Sequence, residues 1–362
     1  MVLKDGHTHG SFKQKFDDIA RRHCTPDDIH TIDHRFEMIS GFAATVTNRA
    51  AFNELLAAPE IKYIEQDTVA TIHNVQRSPP SWGLSRVSER DLNLQAPYIY
   101  NEKAGTGVTA YVVDSGVYLA HSDFGGRATF GANLIPGSTN NTDENGHGTH
   151  VASTIGGAIY GVAKNVQIVS VKVFDENGKG KVSTVVAAMN WVVRDAAERP
   201  KGMSIVNMSL GGGNSTAVDD MSKRLLDAGI PVIASAGNNE TINACNVSPA
   251  SSPDTFTVAA SDRSDQVAKF TSYGECVHIF APGVDITGAG IFGPDSTDIL
   301  SGTSMAAPHV TGVAALLMSS HNVPFETVKE LFDTLTKLAT PRKMFGDLRG
   351  SPNLLVYNNG TA

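Results

Sequence analysis

The sequence predicts an α/β protein whose large C-terminal part is built on a mostly parallel sheet. From Trp82 onward, short and almost continuously apolar segments such as TAYVVD (109–114) alternate with helical stretches such as 182–198, whose valines share one face. Apolar strands that alternate with helices are typical of a parallel sheet covered by helices on both faces. The 362 residues suffice for one large domain and a small one.

The first 74 residues predict a separate, small α+β unit. Apolar residues recur at helical spacing in 12–23, and Asn48 stands where it would cap a second, shorter helix. The segments 36–47 and 61–72 have the composition of strands. Together they predict a βαββαβ, ferredoxin-like domain over 1–74, followed by a Pro-rich linker and a second domain over 75–362.

Composition excludes several classes of function. The chain has 37 acidic and 29 basic residues, a formal net charge of −8, so we expect no general affinity for nucleic acid or for anionic membranes. No apolar run approaches the roughly 18 residues of a transmembrane helix. The printed start, MVLKDGHTHGSF, lacks the basic and apolar regions of a signal peptide.

Three polar residues follow predicted strands or begin predicted helices: Asp114 in AYVVDSG, His147 in NGHGTH and Ser304 in SGTSMAAPH. Ligands of parallel α/β sheets bind at the carboxyl ends of the strands, so these residues are candidates for a site. Taken singly, Asp114 could be a turn residue, His147 could pair with His150 on a metal, and Ser304 could be a helix cap. Taken together, they supply the nucleophile, base and carboxylate of acyl transfer by serine. Asn238, in SAGNN, could donate to a developing oxyanion.

The motifs VVDSG, GHGTHVA, SLGGG, SAGNN and SGTSMAAPHV occur in the order found in subtilisin-like serine proteases. From Trp82 to its C-terminus the chain resembles the proteinase K and cerevisin branch of that family. The resemblance implies a subtilisin-like three-layer fold and serine endopeptidase activity. It assigns Asp114, His147 and Ser304 as the triad, with Asn238 and the Ser304 N–H as the oxyanion hole. It makes three other histidines structural: His121, His150 and His309.

The resemblance also implies how a substrate binds. An extended peptide would pair with Gly178-Lys179-Gly180 on one side and Ser209-Leu210-Gly211 on the other. The primary pocket would lie between MSLGG and SAGN, which includes Ala236 and Gly237. Neither stretch contains an acidic residue, which favours apolar or aromatic P1 residues over Lys and Arg. The alternatives are a kexin-like processing protease, which would need acidic pocket residues and a further C-terminal domain, and a propeptide-inhibited form that only binds.

The N-terminal part, through SGFAATVT and IKYIEQD, resembles the inhibitory propeptides of the same proteases. The resemblance implies a self-processing zymogen, cleaved near Asn74-Val75, whose own propeptide is an intramolecular inhibitor. Such propeptides are preceded by a signal peptide and usually begin with an additional strand ahead of VLKDG. We therefore expect the printed start to be truncated. We expect a secreted monomer, with a vacuolar location as the alternative, that acts on proteins and peptides.

Cysteines and calcium positions complete the comparison with the family. Cys245 and Cys276 match positions that pair in several relatives, which leaves Cys24 over. The carboxylate of one structural calcium site is replaced by His278, and Arg90 stands at a second site. Imidazole is a poor ligand for a hard cation. We therefore expect weak or empty calcium sites and no required cofactor or metal.

Overall fold

A computed structural model describes residues 1–67, 73–320 and 325–360. Its contacts divide the chain into two compact units, Met1–Thr71 and Ile72–Ala362. The division falls three residues before the end of the predicted first domain at residue 74.

The N-terminal unit is a four-stranded antiparallel sheet with two helices, and the strand order is β2-β3-β1-β4. Its elements are β1 (Val2–Leu3), α1 (His9–His23), β2 (His30–Phe36), β3 (Gly41–Val46), α2 (Arg49–Leu56) and β4 (Ile61–Tyr63). This is the predicted βαββαβ order. The prediction of one strand over 36–47 is wrong, because the chain turns between β2 and β3, where Ser40 has a φ of 46°. Residues 68–72 of the predicted last strand lie outside the described residues.

Local sequence explains both helices of this unit. Thr8 caps α1 by accepting from the Ser11 N–H, and Asn48 caps α2 by accepting from two backbone N–H groups, as predicted. Phe12, Phe16 and Ile19 lie four and three positions apart, so they share the face of α1 that is buried against the sheet.

The C-terminal unit contains a nine-stranded sheet in the order β16-β17-β13-β12-β11-β10-β7-β9-β8, in which all neighbouring strands are parallel except β16 and β17. Its elements are β5 (His73–Gln76), α3 (Trp82–Ser88), β6 (Tyr98–Asn101), β7 (Thr109–Asp114), β8 (Ala128–Asn133), α4 (His147–Gly156), β9 (Gln167–Lys172), α5 (Val182–Ala197), β10 (Ser204–Met208), α6 (Thr216–Asp227), β11 (Val232–Ser235), β12 (Phe256–Ser261), β13 (Ile279–Pro282), β14 (Ile286–Ala289), β15 (Thr297–Leu300), α7 (Thr303–Ser320), α8 (Val328–Leu338), β16 (Thr340–Pro341) and β17 (Leu354–Leu355).

The strands are apolar on both faces because each face of the sheet is covered. Along β7, Ala110 and Val112 belong to the core cluster that includes α4 and α7, whereas Tyr111 and Val113 belong to the cluster that includes α5. Successive side chains of a strand point to opposite faces of the sheet. When both faces are covered, the residues that point to each face must therefore be apolar. The predicted three-layer α/β fold is therefore confirmed.

Helix α7 runs through the centre of the larger core. Sixteen of its 18 residues are buried. A Cβ at Gly312 would lie 2.5 Å from the Cβ of Val162, so glycine allows the segment before β9 to approach the helix backbone. This packing fixes the position and direction of the first turn of α7.

Cys245 and Cys276 form a disulfide in the structure, and Cys24 is a free thiol. Among the described residues, no helix combines the length and apolar character needed to cross a bilayer.

Candidate active site

Two of the sequence-predicted residues meet at the carboxyl edge of the sheet. Asp114 is the last residue of β7 and is fully buried, and His147 is the first residue of α4. Nδ1 of His147 lies 2.7 Å from Oδ1 of Asp114. A carboxylate can only accept, so Nδ1 carries the proton and Nε2 is left with a lone pair. The Asp114 carboxylate thus orients the ring and selects its tautomer.

A second buried carboxylate, Asp143, organises the loop before α4. Its two oxygens accept five hydrogen bonds of 2.6–3.0 Å, donated by the Ser115 hydroxyl, the Asn145 and Gly146 N–H groups, and the N–H and hydroxyl of Thr149. Sequence reasoning missed Asp143, because an aspartate in an Asn- and Gly-rich loop has the composition of an ordinary turn.

Close backbone approach explains the glycine that follows His147. A Cβ at Gly148 would lie 2.1 Å from the carbonyl oxygen of Gly116, so any larger residue would push α4 away from the end of β7. The Gly148 N–H donates to the Ser115 hydroxyl at 3.0 Å. The first turn of α4 is therefore held against the strand that carries Asp114.

The environment of His147 stabilises its protonated form more than water stabilises that of a free imidazole. Burial of the imidazole opposes the charge, but the Asp114 carboxylate, its hydrogen bond and the more distant Asp143 together outweigh that effect and raise the pKa of His147 above its ordinary value. The side chain is 30 % exposed, so the ring can still reach a bound molecule.

Ser304 lies in the first turn of α7. Pro308 has no N–H, so the Ser304 carbonyl lacks its usual helical donor four residues later; it accepts instead from the Ser209 hydroxyl at 2.7 Å. The Ser304 hydroxyl donates to the Ser209 carbonyl at 3.2 Å. In the described part of the chain, no hydrogen bond joins this hydroxyl to His147. Such contacts are often long without substrate.

Thr303 orients the side-chain amide of Asn238. Oδ1 of Asn238 accepts from the Thr303 N–H at 2.8 Å and from the Thr303 hydroxyl at 2.9 Å. Because a backbone N–H can only donate, the oxygen must face Thr303, and Nδ2 stays available as a donor beside the start of α7. Thr303 belongs to a motif quoted above, but sequence reasoning assigned it no role.

A cavity of about 230 Å³ adjoins Ser304 and Asn238. Three of the predicted substrate-binding residues line it, namely Leu210, Gly211 and Gly237, whereas Ser209 and Ala236 are buried next to it in the chain. Ile242 and Val247 add an apolar wall that sequence reasoning did not identify. Among the described residues that line the cavity, none is acidic.

The other predicted edge, Gly178-Lys179-Gly180, offers its backbone only at alternate residues. The Lys179 N–H donates to Oδ1 of Asp175 at 2.8 Å, and the Lys179 carbonyl accepts from the Asp175 N–H at 3.0 Å. The backbone of Lys179 is therefore already paired within the loop. The carbonyl of Gly178 and the polar groups of Gly180 have no hydrogen-bond partner in the described part of the chain.

The remaining histidines named above lie outside this constellation. His150 Nε2 donates to the Ile286 carbonyl and His309 Nδ1 donates to the Met305 carbonyl, each at 2.8 Å. Burial lowers the pKa of each ring to about 4. His121 lies 2.8 Å from the Ser296 carbonyl and contributes the same kind of packing hydrogen bond.

His278 and Arg90, which stand where the resemblance implies calcium sites, make other contacts in the structure. Nδ1 of His278 accepts from the Thr257 N–H at 3.1 Å, the ring stacks on Phe256, and burial lowers the pKa of His278. The neutral ring has its lone pair engaged, so it cannot serve as an anionic ligand. At the second position the Arg90 guanidinium lies 4.0 Å from the centre of the Tyr357 ring, so a cation already occupies that region.

We expect calcium chelation to change the melting temperature of the wild-type protein by no more than about 1 °C. His278→Asp should supply a carboxylate and make the melting temperature rise with added calcium. Differential scanning calorimetry with and without chelator measures both effects. A large fall in the wild type on chelation would show that other residues hold an ion.

Known proteins are similar to this chain over most of its length. A family model described as Peptidase_S8, Subtilase family, matches residues 105–350. The chain is a subtilase. This subtilase is 38 % identical to the cuticle-degrading serine protease of Arthrobotrys oligospora over 99 % of its length and 89 % of that protein. It is 45 % identical to the subtilisin-like serine protease Pen ch 13 of Penicillium rubens, over 79 % and 71 % of the two chains.

Two further relatives extend the comparison. The subtilase is 44 % identical to an extracellular serine proteinase of Thermus sp., over 83 % of its own length and 71 % of that protein. A solved structure of a cold adapted subtilisin-like serine proteinase superposes with a TM-score of 0.71 at 42 % identity, over 76 % of this subtilase and 97 % of that chain. The protein is therefore a serine protease with the proteinase K-like relatives that its motifs imply.

Proposed function

We propose that Asp114, His147 and Ser304 perform the peptide hydrolysis of this subtilase, and that Asn238 supports them. The observation that carries the proposal is the 2.7 Å contact between Asp114 and His147, at the same edge of the sheet as the first turn of α7. This contact orients a base whose side chain is 30 % exposed, and Ser304 lines a cavity at the start of α7.

The chemistry follows from these positions. The Ser304 hydroxyl turns from the Ser209 carbonyl, attacks the substrate carbonyl carbon and gives its proton to Nε2 of His147. The oxyanion is stabilised by Nδ2 of Asn238 and the Ser304 N–H. His147 then protonates the leaving amine as the carbon–nitrogen bond breaks, and a water molecule repeats both steps to release the acyl group.

The pocket chemistry supports a preference for apolar or aromatic P1 residues. Ile242 and Val247 offer apolar contacts to a P1 side chain. The described lining contains no acidic residue that could neutralise a P1 Lys or Arg, so burying either charge there would be costly. In a peptide library the enzyme should cleave after Phe, Tyr and Leu at least about tenfold faster than after Lys or Arg. A preference for basic residues would favour the kexin-like alternative.

Labelling by phenylmethylsulfonyl fluoride, mapped to Ser304 by mass spectrometry, tests the nucleophile itself.

The N-terminal unit supports the proposal that the protein is made as a zymogen. Its ferredoxin-like sheet order matches what the resemblance to inhibitory propeptides implies, and we propose that it inhibits the enzyme until it is removed. We further propose a secreted monomer. The disulfide favours an oxidising compartment, and the Thermus relative is named as extracellular.

We expect the protein to cleave itself near Asn74-Val75. This bond lies within β5, which pairs antiparallel with β6, so the strand must leave β6 before it can act as a substrate. Active protein should yield a fragment that begins near Val75, at a rate independent of protein concentration. N-terminal sequencing during a dilution series measures this. Purified Ser304→Ala protein should stay full length, and its cleavage at the same bond would refute self-processing.

A further inference from the structure

Lys172 is a buried cation beside the proposed catalytic site. It is the last residue of β9, its side chain is fully buried, and its register partner in β7 is Asp114. In the sequence it interrupts the apolar run VQIVSVKVF (166–174), where an aliphatic residue would fill the same space. Burying an ammonium group is costly unless it is paired, so its presence requires a reason.

The contacts of Lys172 connect the two elements that carry Asp114 and His147. Nζ donates to the carbonyl of Ser115 at 2.6 Å and lies 3.7 Å from a carboxylate oxygen of Glu144, in the loop before α4. The Ser115 hydroxyl in turn donates to Asp143 and accepts from the Gly148 N–H, next to His147. One ammonium group thus holds the residue that joins the end of β7 to the start of α4.

Charge gives a second reason. Asp114 and Asp143 are both buried, and Lys172 is a fully buried cation in the adjoining strand. Among the described residues, the charged side chain that pairs with Lys172 is Glu144, which is partly exposed. On its other side β9 pairs with β8, which has no charged residue between Ala128 and Asn133. Lys172 thus places a positive charge in the strand beside Asp114, opposite in sign to that buried carboxylate.

We propose that Lys172 is a positioning residue for peptide hydrolysis, which fixes the Asp114–Ser115 strand end against the start of α4 and moderates the negative field at His147. The inference rests on the proposed catalytic roles of Asp114, His147 and Ser304. It predicts that the charge of Lys172, and not only its hydrogen bond to Ser115, affects turnover.

Three variants separate charge from hydrogen bonding. Lys172→Met removes both, Lys172→Gln removes the charge but keeps an N–H donor on a side chain one atom shorter, and Lys172→Arg keeps the charge. Glu144→Gln is the matched control, because its partly exposed carboxylate lies 3.7 Å from Nζ and does not touch Ser115. Each is measured as processed enzyme, by kcat, KM and the pH dependence of kcat/KM on a peptide amide, with melting temperature as the check of folding.

We expect Lys172→Gln and Lys172→Met to lower kcat about tenfold or more with little change in KM. Loss of the cation should leave protonated His147 more stable, so the acid limb of both profiles should move about half a pH unit or more to higher pH. Lys172→Arg and Glu144→Gln should keep the wild-type limb. Because Gln keeps a polar donor in the buried site, it supplies the comparison if Met fails to fold.

An unchanged acid limb and kcat in folded Lys172→Gln would overturn the inference and leave Lys172 a structural residue. That result is distinct from failure of the proposed function. If the proposed function were wrong, Ser304→Ala would hydrolyse the peptide as fast as the wild-type enzyme.

Discussion

Ser304→Ala should abolish peptide hydrolysis, with kcat falling about 10⁶-fold, the loss that removal of the nucleophile causes in subtilisin. Among the described residues, the hydroxyl donates one hydrogen bond, to the Ser209 carbonyl at 3.2 Å, so its removal should cost the fold no more than about 1 kcal/mol. Active-site titration and single-turnover kinetics on purified protein measure the first effect, and calorimetry measures the second.

His150→Gln is a suitable control for Ser304→Ala, because His150 lies on the same helix as His147 and its ring donates to the Ile286 carbonyl rather than to a residue of the proposed triad. We expect it to lower stability while it leaves turnover within about tenfold of the wild type. Turnover retained by Ser304→Ala, together with resistance to phenylmethylsulfonyl fluoride, would be incompatible with a serine nucleophile at this position.

Asp114→Asn should lower kcat about 10⁴-fold with little change in the fold, a loss of the size seen when this carboxylate is replaced in serine proteases. Oδ2 of Asp114 is buried without a hydrogen-bond partner in the described part of the chain. An asparagine can avoid burying an unpaired Nδ2–H there by turning that group toward Nδ1 of His147, although the Ser115 N–H, which donates to Oδ1 of Asp114 at 2.7 Å, then loses its acceptor. The ring would then carry its proton on Nε2, where it cannot accept the Ser304 proton.

The same substitution should change the pH dependence of the residual activity. His147 acts as a base only when it is neutral, and Asp114 raises its pKa above the ordinary value near 6.5. Wild-type kcat/KM should therefore fall with decreasing pH through a midpoint above about 6.5. In Asp114→Asn the attraction for the imidazolium is lost, so the midpoint should move to lower pH. A midpoint that stays in place would show that Asp114 does not set the charge of His147.

Sequence reasoning located the proposed reactive groups because each lies in a short motif at the end of a strand or the start of a helix. Asp114, His147 and Ser304 could be proposed once their three motifs were taken together, and the alternation of strands and helices predicted that they share one edge. The supporting groups could not. Asp143 looks like a turn residue and Lys172 like the polar end of a strand, because their roles depend on partners brought together only by tertiary packing.

The N-terminal unit illustrates the limit of local pattern in another way. The order of elements was predictable, but the strand expected over 36–47 spans the turn between β2 and β3. Apolar and β-branched composition indicates extended chain on both sides of that turn. It does not reveal that Ser40 adopts a positive φ, which reverses the direction of the chain.

The buried course of α7 determines how this enzyme loses activity over time. Sixteen of the 18 residues of the helix that carries Ser304 are buried, so its amide protons can exchange only when the surrounding core opens. Fraying of surface loops leaves the nucleophile in place. The half-life of the activity is then set by the rate of global unfolding, and inactivation is all-or-none for each molecule.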